Sequence, residues 1–320
     1  MKKILVSICI ALSAAGPLAA QADSDFKVTL LGTGSPNPNA ERFGPSTLVE
    51  AGNQKLLFDA GRGASVRLWQ LGVPLSRIDA LLLTHFHSDH TNGIPDVWLT
   101  GWVDTPYGRR KAPFTVIGPV GAKPLMLNLE KAYADDIRVR LADEKLPADG
   151  IKVAVQEFKA DGVVYQQGGV TVTAFEVDHG DEIKPAYGYR IDYKGRSAVI
   201  SGDTRVSENL VKHSKGVDLL IHEVATVNPD ALKANAGFQR ILDHHVTPHQ
   251  AGGIFSRTKP RLAAYTHLVF LPDPRFPGQT TDDVVRQTRE TYDGPLQVGA
   301  DLMSFSIGET VEVRSFAPKR

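Results

Sequence analysis

Residues 78–90 read Ile78-Asp79-Ala80-Leu81-Leu82-Leu83-Thr84-His85-Phe86-His87-Ser88-Asp89-His90. The first half is short and apolar, the pattern of a buried strand. The second half packs His85, His87, Asp89 and His90 into six residues, in a chain that has 10 histidines altogether. Neutral imidazole and carboxylate are common ligands of zinc and related divalent metals. A strand that stops in a tight loop can aim its side chains at two neighbouring ions. His85 and His87 would serve one, Asp89 and His90 the other.

Working outward, three more apolar stretches end in similar fashion. Val170–Val177 runs into Asp178-His179-Gly180, Arg196–Ile200 into Ser201-Gly202-Asp203-Thr204, and Leu262–Tyr265 into Thr266-His267-Leu268. Each candidate donor is expected just past a strand end. Elsewhere, Ser46–Glu50 and Lys55–Asp59 read as a hairpin turning at Gly52-Asn53. Helices are expected over 62–71, 94–103, 123–141 and 281–292. Trp98 and Trp102, four apart on a helix, are read first as core residues. Two strand-rich halves with interspersed helices fit an α/β protein of two sheets packed face to face.

The chain opens with Met1-Lys2-Lys3, an apolar run from Ile4 to Ala14, and Ala20-Gln21-Ala22. Basic start, apolar middle and small-residue end describe a secretory signal peptide, with cleavage expected after Ala22. The expected division is a leader over 1–22 and one hydrolase domain over 23–320, periplasmic or secreted. The apolar run is short for a membrane span, so no membrane association is expected after cleavage. The single cysteine, Cys9, lies in the leader. The remaining chain therefore has neither a thiol nucleophile nor a disulfide. Lys+Arg and Asp+Glu both number 36, and loss of Lys2 and Lys3 tips the balance slightly acidic. That balance argues against a nucleic-acid partner.

The spacing H-x-H-x-D-H, followed in order by His179, Asp203 and His267, resembles the metallo-β-lactamase superfamily. The resemblance implies a four-layer αββα sandwich with metals at one edge. It implies two zinc ions per chain, with Mn2+ or Fe2+ as substitutes. His85, His87 and His179 would hold the first, Asp89, His90 and His267 the second, and Asp203 would bridge them. Asp89 and His245 would also take part in catalysis, with a metal-activated hydroxide as nucleophile.

Within the superfamily the chain resembles the ribonuclease-Z-like branch. The carriers are Leu31-Gly32-Thr33-Gly34-Ser35-Pro36, Leu57-Phe58-Asp59-Ala60-Gly61, Ser201-Gly202-Asp203-Thr204-Arg205, His222-Glu223-Val224 and the stretch from His245 to Gly252. The resemblance implies His245 as general acid, with His222 and Glu223 orienting ligands. It also implies a long tRNA-gripping arm between His179 and Asp203, but the interval is too short for one. The leader, the missing arm and the near-zero charge lead to an expectation of no nucleic-acid substrate. In its length, its leader, Arg42-Phe43-Gly44-Pro45-Ser46 and the stretch from Phe58 to Ser65, the chain resembles the secreted arylsulfatases of the metallo-β-lactamase type, which implies an exported arylsulfatase acting on a small anionic ester, with precursor tRNA left uncleaved. Trp98, Trp102, Tyr107, Arg109 and Arg110 are candidates for gripping an aryl sulfate. Phosphodiesterase is the second reading, then a lactonase, then a non-catalytic zinc-binding envelope protein. A homodimer is left open.

Overall fold

The computed structural model describes residues 25–317. The leader expectation, including cleavage after Ala22, falls outside them. Among the described residues, fifteen strands form two mixed sheets. The first contains β1 (Phe26–Gly32), β2 (Ser46–Ala51), β3 (Gln54–Phe58), β4 (Ala80–Leu82), β5 (Phe114–Pro119), β6 (Val153–Phe158), β14 (Ser304–Ile307) and β15 (Val311–Arg314), ordered β15-β14-β1-β2-β3-β4-β5-β6. The second contains β7 (Gly162–Gln167), β8 (Val170–Glu176), β9 (Tyr187–Tyr193), β10 (Arg196–Ile200), β11 (Leu219–Val227), β12 (Leu262–Leu271) and β13 (Leu296–Val298), ordered β13-β12-β11-β10-β9-β8-β7.

Side-chain alternation assigns each strand two faces. Val28, Leu30, Leu56, Phe58, Ala80 and Leu82 meet Val172, Tyr189, Ile191, Ile200, Leu219 and Ile221 of the other sheet. The intervening Leu31, Leu57, Leu81 and Leu83 face outward and pack with Leu68, Ile94, Val97 and Trp98. On the far side Val199 and Leu220 pack with Leu210, Ile254, Phe255 and Val284. Both sheets are thus buried on two faces, with helices outside. This is the expected αββα sandwich.

Each sheet joins an antiparallel part to a parallel part. β3, β4, β5 and β6 are parallel in sequence, as are β10, β11, β12 and β13. Parallel neighbours need crossovers, which places loops at the carboxyl ends of β3, β4 and β10 along one edge. The hairpin at 52–53 is present, and its Gly52 takes a φ of 57°. The helix expected over 123–141 is two helices, Ala122–Ala132 and Ala134–Ala142. Tyr133 leaves helical geometry between them, and Asp135 and Asp136 favour a new amino-terminal turn there.

Trp98 and Trp102 are fully buried. Their indole N–H groups donate to the carbonyls of Ile151 and Pro147, both at 2.9 Å. Arg110 is buried and donates to the carbonyls of Trp98 and Gly150. Arg109 is tied to Asp104. Neither tryptophan is available to sandwich an aryl group, so the physical hint toward an aryl sulfate fails.

Candidate metal centre

The edge loops converge. His85 and His87 follow β4, His179 follows β8, and Asp203 follows β10. The short helix Ser88–Thr91 then turns Asp89 and His90 inward. His267 is positioned differently from the expectation. β12 continues through it to Leu271, and the β11–β12 register slips between His222 and Val224. Opposite Glu223 the β12 strand carries both Thr266 and His267, and His267 takes a φ of 42°. A bulge of this kind re-aims a side chain that the pleat would otherwise misdirect.

The donor atoms form two groups, and Asp203 of the first lies against His90 and His267 of the second. His85, His87, His179 and Asp203 make one, and Asp89, His90 and His267 the other. His85 Nε2 lies 3.0 Å from His87 Nδ1, which is 3.3 Å from His179 Nε2. Asp203 Oδ2 lies 3.3 Å from His90 Nε2, 3.2 Å from His267 Nε2 and 3.7 Å from His179 Nε2. Tetrahedral ligands at about 2.0–2.1 Å from one ion stand about 3.3–3.4 Å apart. The separations of 3.0 to 3.7 Å bracket that spacing.

The hydrogen-bond network fixes which nitrogens are free. Asp59 accepts from the Thr84 amide at 2.8 Å and from the Thr84 hydroxyl at 2.7 Å. With that hydroxyl hydrogen spent, His85 Nδ1–H donates to Thr84 Oγ1 at 2.9 Å. His90 Nδ1–H donates to Asp59 at 2.7 Å. His179 Nδ1–H donates to the His244 carbonyl at 2.9 Å. Three Nε2 lone pairs are thereby turned toward the shared space. His90 Nε2 is buried with no hydrogen-bond partner. Lone pairs converging on one another are repulsive unless a cation lies between them, so the donor set fits divalent metal.

Charge balance agrees. Burial pulls the His90 imidazole down, yet Asp203 and Asp59 carry it well above its ordinary value. Burial also holds His85 well below the usual range and His179 down at about 4, with Asp203 opposing in both. Those two are therefore neutral, the form that binds metal. Burial would raise Asp203, but His267 and His90 hold it well below the normal carboxylate range.

His245 stands beside both groups. Its side chain is 10% exposed, and its Nδ1 lies 3.1 Å from the Glu223 carboxylate, which is 1% exposed. Burial lowers this imidazole, but Glu223 and then Asp203 lift it to about 9. Glu223 also accepts from the Val246 amide at 2.9 Å, and the Val246 carbonyl accepts from the Ala225 amide on β11. Thr247 and Gln250 form a reciprocal cap on the helix Pro248–Thr258. The loop carrying His245 is fixed at both ends. A donor atom of His245 also falls within 4.8 Å of those of Asp203 and His267.

Of the two residues expected at 222–223 to orient metal ligands, Glu223 instead holds His245. His222 does neither. It is fully buried, its Nδ1 bonds the Glu223 carbonyl at 2.7 Å, and its ring packs beside Phe255. Sequence reasoning assigned no role to Asp59 or Thr84. The available signal was an acid directly after the apolar Leu56-Leu57-Phe58, a position where burial demands partners. A cavity of about 260 Å³ opens over the centre, walled by Ser35, Pro36, Asn37, Ile241, Val269 and Leu271.

The model of the beta-lactamase superfamily domain matches residues 54–268. Ribonuclease Z of Mycolicibacterium gilvum is 38% identical over 280 residues, 87% of this chain and 94% of the relative. Ribonuclease Z of Mycobacterium bovis is 35% identical over 278 residues, 87% of this chain and 96% of the relative. The crystal structure of human tRNase Z, short form, superposes with a TM-score of 0.65 at 21% identity, covering 88% of this chain and 99% of that one. The chain belongs to the metallo-β-lactamase superfamily, in its ribonuclease-Z-like branch, and has the fold and donor cluster of a metal-dependent hydrolase.

These relatives overturn two expectations. Arylsulfatase is not the reading they support, since the similar proteins carry the name ribonuclease Z. The expected absence of a nucleic-acid partner fails with it. One of its supports was the missing arm, yet 96% of the Mycobacterium bovis relative is matched by this chain. A long extra segment therefore does not separate the two.

Proposed function

We propose that this protein is a dinuclear metal-dependent phosphodiesterase that cleaves RNA. The observation that carries the reading is the pairing of the seven-residue donor set with the Glu223–His245 couple beside it. His85, His87 and His179 would hold one metal, Asp89, His90 and His267 the second, and Asp203 both. Zinc suits the imidazole-rich set best. When bound, such a pair supplies an activated water and positive charge opposite the phosphate's non-bridging oxygens.

The chain's own residues do the rest. Asp59 holds His90, Thr84 holds His85 and the His244 carbonyl holds His179, so each presents Nε2 in one orientation. Glu223 keeps His245 protonated and anchors it through Nδ1, leaving Nε2–H to donate to the departing ribose oxygen. His245 is then general acid rather than metal ligand, and Asp89 Oδ2 stands 3.3 Å from His267 Nε2, a separation that two ligands of one metal would keep. The leader expectation belongs to the same proposal: a chain exported by it would meet its RNA outside the cytoplasm.

The test is turnover of bis-para-nitrophenyl phosphate by purified protein, with para-nitrophenyl sulfate as comparison. Diester hydrolysis that EDTA abolishes is expected. Turnover of the sulfate ester with an inert diester would reject the reading.

A further inference from the structure

A second cavity, of about 720 Å³, lies on the other side of His245 from the metal donors. Its volume falls within the range of about 300–1,000 Å³ common to small-ligand sites. Among the described residues, His245 alone lines both cavities. The wall between them is the helix Gly237–Leu242, where Ile241 faces the metal cleft and Leu242 faces the second cavity.

Away from His245 the lining is predominantly acidic. Asp181, Glu182 and Asp243 contribute carboxylates, Arg205 is the cation among them, and the protonated His245 stands at the edge shared with the metal cleft. Arg205 is already committed, with Nε 2.8 Å from Asp178 and Nη2 3.0 Å from Asp181. A phosphate placed here would meet uncompensated negative charge. Groups rich in O–H and N–H donors would meet acceptors. The departing oxygen leaves toward the proton donor, hence toward His245 and the mouth of this cavity.

We infer that the second cavity receives the nucleoside on the leaving side of the scissile phosphate, its ribose hydroxyls and base N–H groups facing Asp181, Glu182 and Asp243. The inference rests on the phosphodiesterase reading above. It makes the metal cleft the phosphate site and the acidic cavity a site for an uncharged nucleoside.

The test uses the full metal-loaded chain and two variants. Val206→Trp puts bulk into the cavity from a residue 42% exposed at its rim. Glu182→Lys reverses one wall charge. Metal content and melting temperature report whether each variant is folded. Binding of adenosine and of inorganic phosphate is followed by NMR titration. Adenosine should bind, at least tenfold more weakly in Val206→Trp, and should weaken in Glu182→Lys as well. Phosphate affinity should not fall in Glu182→Lys. In kinetics, Val206→Trp should lower kcat/KM on a dinucleoside monophosphate at least tenfold more than on bis-para-nitrophenyl phosphate. Adenosine binding that survives both variants unchanged, or equal losses on the two esters, overturns the inference. If the unmodified chain cleaves neither ester, the phosphodiesterase reading falls, and the adenosine titration still decides whether the cavity binds a nucleoside.

Discussion

The two halves of the donor cluster are built on different principles. The half made of His85, His87 and His179 is held by neutral groups: a threonine hydroxyl behind His85 and a main-chain carbonyl behind His179. His87 sits exposed at the start of a short helix. The half made of Asp89, His90 and His267 is wholly buried and backed by carboxylate, with Asp59 behind His90 and Asp203 in front. Burial keeps His85 and His179 of the first half neutral, whereas Asp203 and Asp59 carry His90 of the second half above its ordinary value. The second half therefore has the greater need of a cation, and the first the better access to solvent.

The largest effect on this comparison should come from removing what the halves share. Asp203→Ala deletes the carboxylate common to both groups, so metal content should collapse and hydrolysis should fall to background. Plasma emission spectroscopy and a diester assay check it. Retained metal with full activity would end the bridging assignment.

His245→Ala should lower the rate by about 10²–10⁴-fold on diesters with poor leaving groups, and far less on activated ones. Its metal content should match the parent. Lost metal would instead make His245 a ligand. In the parent, an imidazole at about 9 is protonated at neutral pH and loses its proton above that value. Turnover of poor leaving groups should accordingly decline as pH rises through about 9, and His245→Ala should lack that limb.

Asp59→Asn should weaken metal binding by about 10–100-fold, mainly in the His90 half. Thr84→Val should do less to the His85 half, because charge-assisted hydrogen bonds are roughly twice as strong as neutral ones. Chelator competition on both variants gives the ranking, and the reverse order would break the comparison. The smallest expected effect is a staging in acid. Protons compete with metal first at His90, whose value is raised, and only near pH 4 at His179. Stoichiometry measured against falling pH should pass through a plateau of one metal. Simultaneous loss of both would show that the halves do not act separately.

Most of the clustered residues were legible in the sequence because each is a distinctive residue type just past an apolar run, whereas His267 lies inside one that continues to Leu271. The four-layer fold followed from strands apolar on both faces, as in Leu56-Leu57-Phe58 and Ala80–Leu83. What stayed hidden depended on contacts between segments far apart in the chain. Asp59 reaches His90 across 31 positions, and His179 reaches the His244 carbonyl across 65. The bulge at His267 depends on register against β11, which no local pattern reveals. Trp98 and Trp102 suit a binding face and a core face equally well by spacing, and packing against 147–151 decides for the core. Composition misled on the substrate, because net charge reports the whole surface and the chemistry resides in one cleft.

The central claim is that this metal centre cleaves RNA phosphodiesters, and cleavage of an RNA tests it most directly. A structured substrate such as end-labelled precursor tRNA, incubated with the metal-loaded chain, should be cut. EDTA should stop the reaction, added zinc should restore it, and Asp203→Ala should be inert. Intact RNA alongside rapid, metal-dependent hydrolysis of a non-phosphate ester would contradict the account.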